Sequence, residues 1–432
     1  MARAACAGKA RLFDLAAQSL ARRGVAPALA LFVPGRVEVL GKHTDYAGGR
    51  SLLCTVERGL CLVAAPRADA RVRAIDSAAA EEVSFELDAG LAVPEGTWGG
   101  YPMTVARRLA RNFPAARTGA DIGFASDLPP AAGMSSSSAL LTAVFLALAA
   151  VNGLESHDAY RRELHTPEDL AGYLGTIENG QSYGTLEGDR GVGTFGGSED
   201  HTSMLCCRPG QLSQYSFCPV RHERTVPLPG ALSFAIGVSG VVAEKSGAAR
   251  DRYNRLALAA QAILDLWRAA SGRSDVTLAA AAASSPDAPD WIRRVLARSA
   301  DARFDAGTLL ARFNQFMLES IQIVPGVGDA LAAGDVDAVG PLVDRSQRGA
   351  EVWLGNQVPE TAALARLARE EGALAASAFG AGFGGSVWAI VRSEEAEGFG
   401  RLWEARYREG FPGHAARMRF FVTRPGPPAC RL

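Results

Sequence analysis

A loop rich in proline, glycine and serine at residues 129–138 carries the first group of side chains that could take part in chemistry. An apolar run at residues 139–152 follows and predicts a buried helix. A loop in this place points backbone N–H groups at an anion, and the helix dipole adds to the attraction. The serine hydroxyls could bind phosphate or magnesium. The segment lacks the Walker A pattern, and the alternative is a serine-rich helix cap.

A second segment, residues 33–49, predicts a strand that runs into a crowded polar turn. Lys42, His43, Asp45 and Tyr46 fall within five positions of one another. Loops on rigid strands are where polar function concentrates. Asp45 could accept hydrogen bonds from the hydroxyl groups of a ligand, and His43 could donate or accept them. The alternative is a salt-bridged surface turn.

Two glycine-rich segments complete the candidate site. In residues 193–201, glycines that allow close backbone approach are followed by a carboxylate, Asp200. This residue is a candidate general base, and the alternative is an ordinary turn aspartate. Residues 380–386 form a glycine-rich loop before a predicted strand at 387–391. Such a loop alone is a weak signal of ligand binding.

Hydrophobic periodicity and turn residues predict the elements that position these segments. Strands are predicted at residues 30–33, 37–40, 54–64, 72–75, 83–87, 121–125, 202–207 and 232–238. Helices are predicted at residues 10–24, 98–113 and 167–179, and a largely helical half follows residue 251. Turn residues cluster at 209–229, which predicts an N-terminal domain at residues 1–215 and a C-terminal domain at residues 216–432.

Composition narrows the class of protein. The chain has 432 residues, 48% of them hydrophobic, and a net charge of −1. This length suits two packed domains, and this charge points to neither nucleic acid nor a membrane surface as a partner. Seven cysteines without a Cys-x-x-Cys pair give no sign of a zinc or dithiol site. Without a signal pattern or an apolar run long enough to span a bilayer, a cytoplasmic location is predicted.

Taken together and in this order, the four segments resemble the galactokinases of the GHMP kinase superfamily. Residues 35–49 match the signature Gly-Arg-Val-Asn-Leu-Ile-Gly-Glu-His-Thr-Asp-Tyr-Asn-Gly-Gly at most positions. The serine loop is similar to the family's phosphate-binding motif, usually Gly-Leu-Ser-Ser-Ser-Ala. Residues 380–386 are similar to its third motif, Gly-Gly-Gly-Phe-Gly-Gly-Cys. With weaker matches between them, the resemblance covers residues 30–392.

The resemblance implies an α+β fold of two domains with the active site in the cleft between them. It implies ATP and Mg²⁺ as cofactors, and transfer of the ATP γ-phosphate to the anomeric hydroxyl of galactose or a related sugar. Arg36 and Asp200 are then the catalytic pair: the arginine stabilises phosphoryl charge and lowers the pKa of the aspartate, which positions or deprotonates the hydroxyl. Whether the protein is a monomer or a homodimer stays open.

The same resemblance assigns the binding residues position by position. The implied cofactor-binding residues are Gly133, Ser135, Ser136, Ser137 and Ser138, and the implied metal ligands are Ser137 and Glu178. The implied substrate-binding residues are Lys42, His43, Asp45, Gly197, Lys245, Arg252 and Tyr253. Gly384 and Gly385 are implied to shape the cleft.

The chain departs from the family pattern mostly on the sugar side. Lys42 replaces the signature Glu, Glu38 replaces Asn, and Ala131 replaces the first Gly of the phosphate loop. Around Asp200 the family has Gly-Ile-Met-Asp-Gln, whereas this chain has Gly-Ser-Glu-Asp-His. For the family's sugar-contacting Tyr, an ungapped match gives Arg252, with Tyr253 one position later. The reaction type is therefore better supported than the substrate.

Lys42 motivates one alternative substrate, a hexuronic acid such as galacturonate. An ammonium only donates hydrogen bonds, whereas the Glu it replaces only accepts them. Lys245 and Arg252 lie in a segment that matches a second sugar-contacting stretch, and the chain has only three lysines among 45 basic residues. The alternative is that Lys42 turns outward and pairs with Glu38 or another carboxylate, leaving a neutral sugar bound by His43 and Asp45.

Two further hypotheses belong to other classes. The first is a sugar-binding sensor that keeps the kinase fold without catalysis, and the presence of both Arg36 and Asp200 argues against it. The second is a GHMP kinase acting on mevalonate-like or amino-acid alcohols. The run from His43 to Tyr46, which belongs to the galactokinase signature, argues against that branch.

Overall fold

A computed structural model describes residues 3–242 and 247–432 of the chain. These residues form a larger and a smaller β-sheet with helices packed on both, which confirms the predicted α+β class. Lys245 lies outside the described residues. In the part of the chain that is described, no helix combines the length and apolarity needed to cross a membrane.

Most of the predicted strands are longer in the structure, and the predicted runs 30–33 and 37–40 merge into one strand. They are β1 (Leu29–Leu40), β2 (Arg50–Pro66), β3 (Arg71–Asp76), β4 (Glu81–Glu86), β5 (Ala120–Ser126), β6 (Gln211–Ser216), β7 (Arg221–Pro227), β8 (Leu232–Val238), β9 (Ala375–Phe379), β10 (Ser386–Arg392), β11 (Arg419–Thr423) and β12 (Cys430–Arg431). The larger sheet has the order β12-β1-β2-β5-β3-β4, with β6 paired to β2 and β7 to β6. The smaller sheet has the order β11-β8-β10-β9.

The helices lie between and around these sheets. They are α1 (Arg3–Ala21), α2 (Gly100–Asn112), α3 (Ser136–Asn152), α4 (Asp158–Glu163), α5 (Pro167–Asn179), α6 (Glu199–Cys206), α7 (Gly247–Ser271), α8 (Leu278–Ala282), α9 (Ala288–Ala297), α10 (Ala306–Phe316), α11 (Val324–Ala333), α12 (Val339–Gly349), α13 (Pro359–Glu370) and α14 (Ala396–Gly410). Short π-helical segments, Met317–Ile323 and Ala350–Leu354, follow α10 and α12.

The main core fills the space between the larger sheet, helices α3 and α5, and one face of the smaller sheet. A second core lies among the four helices α7, α8, α9 and α10, and a third lies between the smaller sheet, α13 and α14. The domain division at residues 215 and 216 stays a prediction. Strands β6 and β7, which lie at and just after that division, pair with each other in the larger sheet.

Strand β1 positions the first polar segment. Because successive side chains alternate between the faces of a strand, Arg36 and Glu38 share one face, and both are buried. The pairing of β1 with β2 shifts register between Pro34 and Arg36 and again between Glu38 and Leu40. Such irregularities re-aim side chains, and here they flank the two charged residues. The outer edge of β1 pairs with β12.

Helix α5 is fixed at both ends by its local sequence. Thr166 and Asp169 form a capping box, Pro167 opens the first turn, and Gly180 ends the helix in the left-handed region at φ 84°. Glu178 therefore lies in a well-defined last turn. Its carboxylate is buried, and buried charged side chains usually have a partner.

The strand predicted at residues 202–207 is wrong, because those residues lie in and just after helix α6. A short apolar run cannot be assigned to strand or helix by periodicity alone. The signal that was missed is the acidic pair Glu199 and Asp200, which forms the first turn and suits a helix N-terminus. Asp200 thus belongs to a helix rather than to a loop.

Candidate functional site

Arg36 and Asp200 meet in a buried ion pair. Arg36 Nε donates to Asp200 Oδ1 over 2.7 Å, and Arg36 Nη1 donates to the Gly133 carbonyl oxygen over 2.6 Å. Burial lowers the pKa of Arg36, but the carboxylates of Asp200, Glu38 and Glu199 together raise it by more. The pKa of Arg36 therefore lies above its usual range. The guanidinium therefore stays charged at the junction of strand β1, the serine loop and helix α6.

Ser138 connects this pair to helix α5. Its hydroxyl lies 2.9 Å from Glu178 Oε1 and 3.2 Å from Asp200 Oδ2, within hydrogen-bonding reach of both oxygens. Glu178 Oε2 also lies 3.6 Å from His201 Nε2. Ser138 is fully buried, so of the predicted cofactor-binding serines it serves the carboxylates rather than the open cavity.

The serine loop begins α3 with an unusual backbone. Ser135 and Ala131 adopt positive φ values of 57° and 48°, a region that costs about 1–2 kcal/mol for a residue with a side chain. The family's glycine at the position of Ala131 fits this geometry. Residues held in such conformations are common at ligand sites.

A cavity of about 1170 Å³ opens in front of the serine loop. It is lined by Arg36, Gly133, serines 135–137, residues 89–98 and residues 189–193. The N-terminus of α3 therefore faces a large space, as an anion-binding helix end requires. Residues 89–97 and 189–192 belong to none of the four segments identified in the sequence.

A smaller cavity shares Arg36 and Ala381 with the large one. The predicted residues that line it are His43, Asp45, Glu178, Gly197, Asp200 and Tyr253. Gly197 is needed there because a Cβ would lie 2.4 Å from Asp45 Oδ2. His43 lies 3.1 Å from the Tyr46 hydroxyl and 3.2 Å from the Ala381 carbonyl oxygen through its two ring nitrogens.

Tyr253, rather than Arg252, occupies the position that faces this pocket. Its ring centroid lies 5.2 Å from that of His43, and burial raises the pKa of its hydroxyl well above the usual range. Arg252 is exposed and stacks on the Phe383 ring at 4.7 Å. Neighbouring helical residues point about 100° apart, so one step decides which side chain reaches the site.

Lys42 is buried but does not line either of these cavities. Its ammonium donates to the Ser346 hydroxyl over 2.8 Å and to the Ser377 hydroxyl over 2.9 Å. The side chain therefore neither points outward nor reaches the pocket with His43 and Asp45.

Several residues of the site carry no motif that sequence reasoning could have used. Arg312 is buried and donates to the His43 carbonyl oxygen and the Tyr46 hydroxyl. Glu319 accepts from the backbone N–H of Gly41 over 2.9 Å. Both lie in the helical half of the chain, and their hydrogen bonds fix the position of the polar turn at residues 41–46.

The cluster around Arg36 also contains Glu38 and Glu199, both of which line the smaller cavity. Burial raises the pKa of Glu38 to about 7, against the opposing effect of Arg36 and Lys42. Burial also raises the pKa of Glu199 well above its usual range, and the facing Glu38 adds to the effect.

A magnesium ion prefers oxygen ligands from carboxylates, hydroxyls and phosphates. In residues 3–242 and 247–432, no group of three or more His, Cys, Asp or Glu side chains could hold a metal ion by itself. An ion bound mainly through nucleotide phosphates needs only one or two protein oxygens. Glu178 beside the small cavity and Ser137 beside the large one offer oxygens of that kind.

Comparison with known families identifies this arrangement. The model for the galactokinase galactose-binding signature matches residues 21–66, the GHMP kinases N terminal domain matches residues 100–184, and the GHMP kinases C terminal model matches residues 329–408. The chain is a galactokinase-like GHMP kinase. The first two matches contain Arg36, the polar turn, the serine loop and Glu178.

Similar proteins cover nearly all of this kinase. A galactokinase of Roseiflexus sp. is 27% identical over 87% of this chain and 86% of its own length. A galactokinase of Glaesserella parasuis is 26% identical over 89% and 91%. The crystal structure of Lactococcus lactis galactokinase complexed with galactose has a TM-score of 0.77 and 20% identity, and the match covers 96% of this chain and 98% of that one. This last likeness establishes the fold.

The raised pKa of Glu38 predicts how stability changes with pH. The pKa is about 7 in the folded protein against 4.5 for an ordinary Glu, so stabilisation by the bound proton is complete below about pH 4.5 and is lost as the pH rises through about 7. The gap corresponds to at most about 3 kcal/mol. Urea unfolding across this range should show the wild type losing stability relative to Glu38→Gln, which stays neutral.

Exposed Glu397 provides the control. Glu397→Gln should keep the wild-type dependence of unfolding free energy on pH. A difference between wild type and Glu38→Gln that is constant across this pH range would contradict the assignment.

Proposed function

We propose that this kinase transfers the γ-phosphate of ATP to the anomeric hydroxyl of galactose, giving galactose 1-phosphate and ADP. The observation that carries the proposal is the buried Arg36–Asp200 pair, which lies between the serine loop and the pocket with His43 and Asp45. Family membership supports ATP as the donor. The relatives named galactokinase support the sugar.

The positions of the chain's own residues assign each of them a step in phosphoryl transfer. The sugar hydroxyl attacks the γ-phosphorus, its proton passes to the Asp200 carboxylate, and the bond to the bridging oxygen breaks with ADP as the leaving group. Arg36 and the backbone N–H groups at the start of α3 face the charge that develops on the transferred group. Asp45 and Tyr253 orient the sugar.

We also propose that Ser137 and Glu178 hold a magnesium ion, with Ser136 close by. When bound there, such an ion would neutralise charge on the nucleotide phosphates. Ser138 keeps the Glu178 carboxylate oriented by lying 2.9 Å from one of its oxygens.

The alternative substrates are not favoured. A hexuronic acid would need Lys42 in the pocket, but its ammonium is held by Ser346 and Ser377. The pocket is lined instead by acidic side chains that would repel a sugar carboxylate, among them Asp45, Glu178 and Asp200. A non-catalytic sensor would have no need of the Arg36–Asp200 pair. The cytoplasmic location stays a prediction from the sequence.

Replacing Asp200 tests the catalytic assignment. Asp200→Asn keeps the shape of the side chain but removes the proton acceptor, so kcat with galactose should fall by at least about 100-fold. ATP affinity, measured by calorimetry, should stay close to that of the wild type. The matched control is Asp337→Asn at an exposed position, and near-normal turnover by Asp200→Asn would sink the assignment.

Replacing Glu178 tests the metal assignment. Glu178→Gln removes a charged oxygen ligand, and the Mg²⁺ concentration giving half-maximal activity should rise by about tenfold or more. Glu168→Gln, in the first turn of the same helix, is the control and should keep the wild-type requirement. An unchanged magnesium dependence in Glu178→Gln would exclude this role.

Measuring the KM for galactose tests whether Tyr253 or Arg252 contacts the sugar. If the Tyr253 hydroxyl bonds galactose, Tyr253→Phe should raise the KM for galactose by about three- to tenfold, the value of one neutral hydrogen bond. Arg252→Ala should change it by less than about twofold, since exposed side chains contribute little. A larger rise in KM for Arg252→Ala than for Tyr253→Phe would show that Arg252 contacts the sugar instead.

A further inference from the structure

Two buried glutamates meet beside the catalytic pair. Glu38 follows Arg36 by two residues on β1, and Glu199 directly precedes Asp200 in the first turn of α6. They are 4% and 5% exposed. Their carboxyl groups lie within hydrogen-bonding distance of each other.

The other contacts of the two carboxyl groups leave one oxygen of Glu38 without a donor. Glu38 Oε2 accepts from the Gly380 backbone N–H over 3.1 Å, and Glu199 Oε2 accepts from the Ser51 hydroxyl over 2.6 Å. Glu38 Oε1 is buried and has no donor among the described residues. Two ionised carboxylates only accept hydrogen bonds, so this contact is favourable only if one of them carries a proton.

We propose that Glu38 and Glu199 share one proton, and that this acid–carboxylate pair positions Arg36 and Asp200 for phosphoryl transfer. The second half of the statement rests on the proposed kinase function, whereas the first does not. The proton belongs mainly to Glu199, which donates it to Glu38 Oε1.

The charges around the pair agree with this distribution. Glu38 faces Arg36 and Lys42, which favour its ionised form, and Glu319, which opposes it. Glu199 faces the carboxylates of Glu38, Asp45 and Asp200, with Arg36 as its cation. The ionised form is therefore better supported at Glu38 than at Glu199, and like charges in one site force one group to stay protonated.

The pair also connects the elements that carry the catalytic residues. Glu38 holds Gly380, whose close packing leaves only 2.9 Å between a Cβ and the Gly133 carbonyl oxygen. That same oxygen accepts from Arg36. Glu199 lies in the first turn of α6, next to Asp200. The shared proton therefore links β1 and the Gly380 loop to the helix that carries Asp200.

The family pattern has Asn in place of Glu38 and Met in place of Glu199. Neither of those residues brings a charge, so an Asn–Met combination needs no shared proton. A Glu at one position alone would leave a buried carboxylate without its partner, which is costly. We therefore expect the two positions to depend on each other.

The first experiment measures the proton directly. Protein labelled with ¹³C at the glutamate side-chain carboxyl is titrated by NMR, without turnover. We expect one glutamate resonance to stay at the protonated position above neutral pH, where ordinary glutamates are ionised. This resonance should vanish in Glu199→Gln and persist in Glu397→Gln. Ionisation of every glutamate below neutral pH in the wild type would overturn the shared proton, whatever the substrate is.

The second experiment is a double-mutant cycle on kcat. Glu199→Met should lower kcat by about tenfold or more, because it leaves Glu38 buried and unpaired. Adding Glu38→Asn to Glu199→Met should recover most of the loss, with the KM for galactose changing less than kcat. Wild-type kcat in Glu199→Met, or a double variant no better than Glu199→Met, would overturn the positioning role.

Discussion

The buried contact between Arg36 and Asp200 is the interaction on which the rest of the site depends. Each charge would be strongly destabilising in this place without the other, so the strand, the helix and the serine loop that supply them must meet in one arrangement. The hydrogen bonds to Gly133 and from Ser138 complete that arrangement. Around this contact the chain places an open cavity on one side and a compact acidic pocket on the other.

Backbone strain contributes to the same rigidity. His43, Ser135 and Phe383 each adopt a positive φ near 58° in three different loops of the site. Such conformations persist only where the surrounding structure fixes them. Here Arg312 holds the carbonyl oxygen of His43, and helix α3 follows Ser135 directly. The polar groups are thus oriented before a ligand arrives, which is how an enzyme avoids reorganisation during the reaction.

The sequence predicts the positions of motifs better than the directions of side chains. The serine loop, its buried helix, Arg36 and Asp200 were identifiable because residue type and spacing carry their chemistry. The direction of Lys42 depends on Ser346 and Ser377, which lie some 300 residues away in sequence. The choice between Arg252 and Tyr253 depends on helix rotation, which an ungapped match cannot give. Helix α6 was missed because it is short and the apolar run at its C-terminal end also fits a strand.

The pairing of β1 with β12 has a consequence for biosynthesis. Leu31 and Phe32 pair with Arg431 and Cys430, so nearly the whole chain separates the two strands. Domains assemble from the N-terminus as the ribosome delivers them, and an uncovered strand edge can pair with other chains. The strand that carries Arg36 is made long before β12, so its outer edge at Leu31 and Phe32 stays open until residues 430 and 431 emerge. Nascent chains of this kinase therefore have a long interval in which chaperone protection of that edge matters.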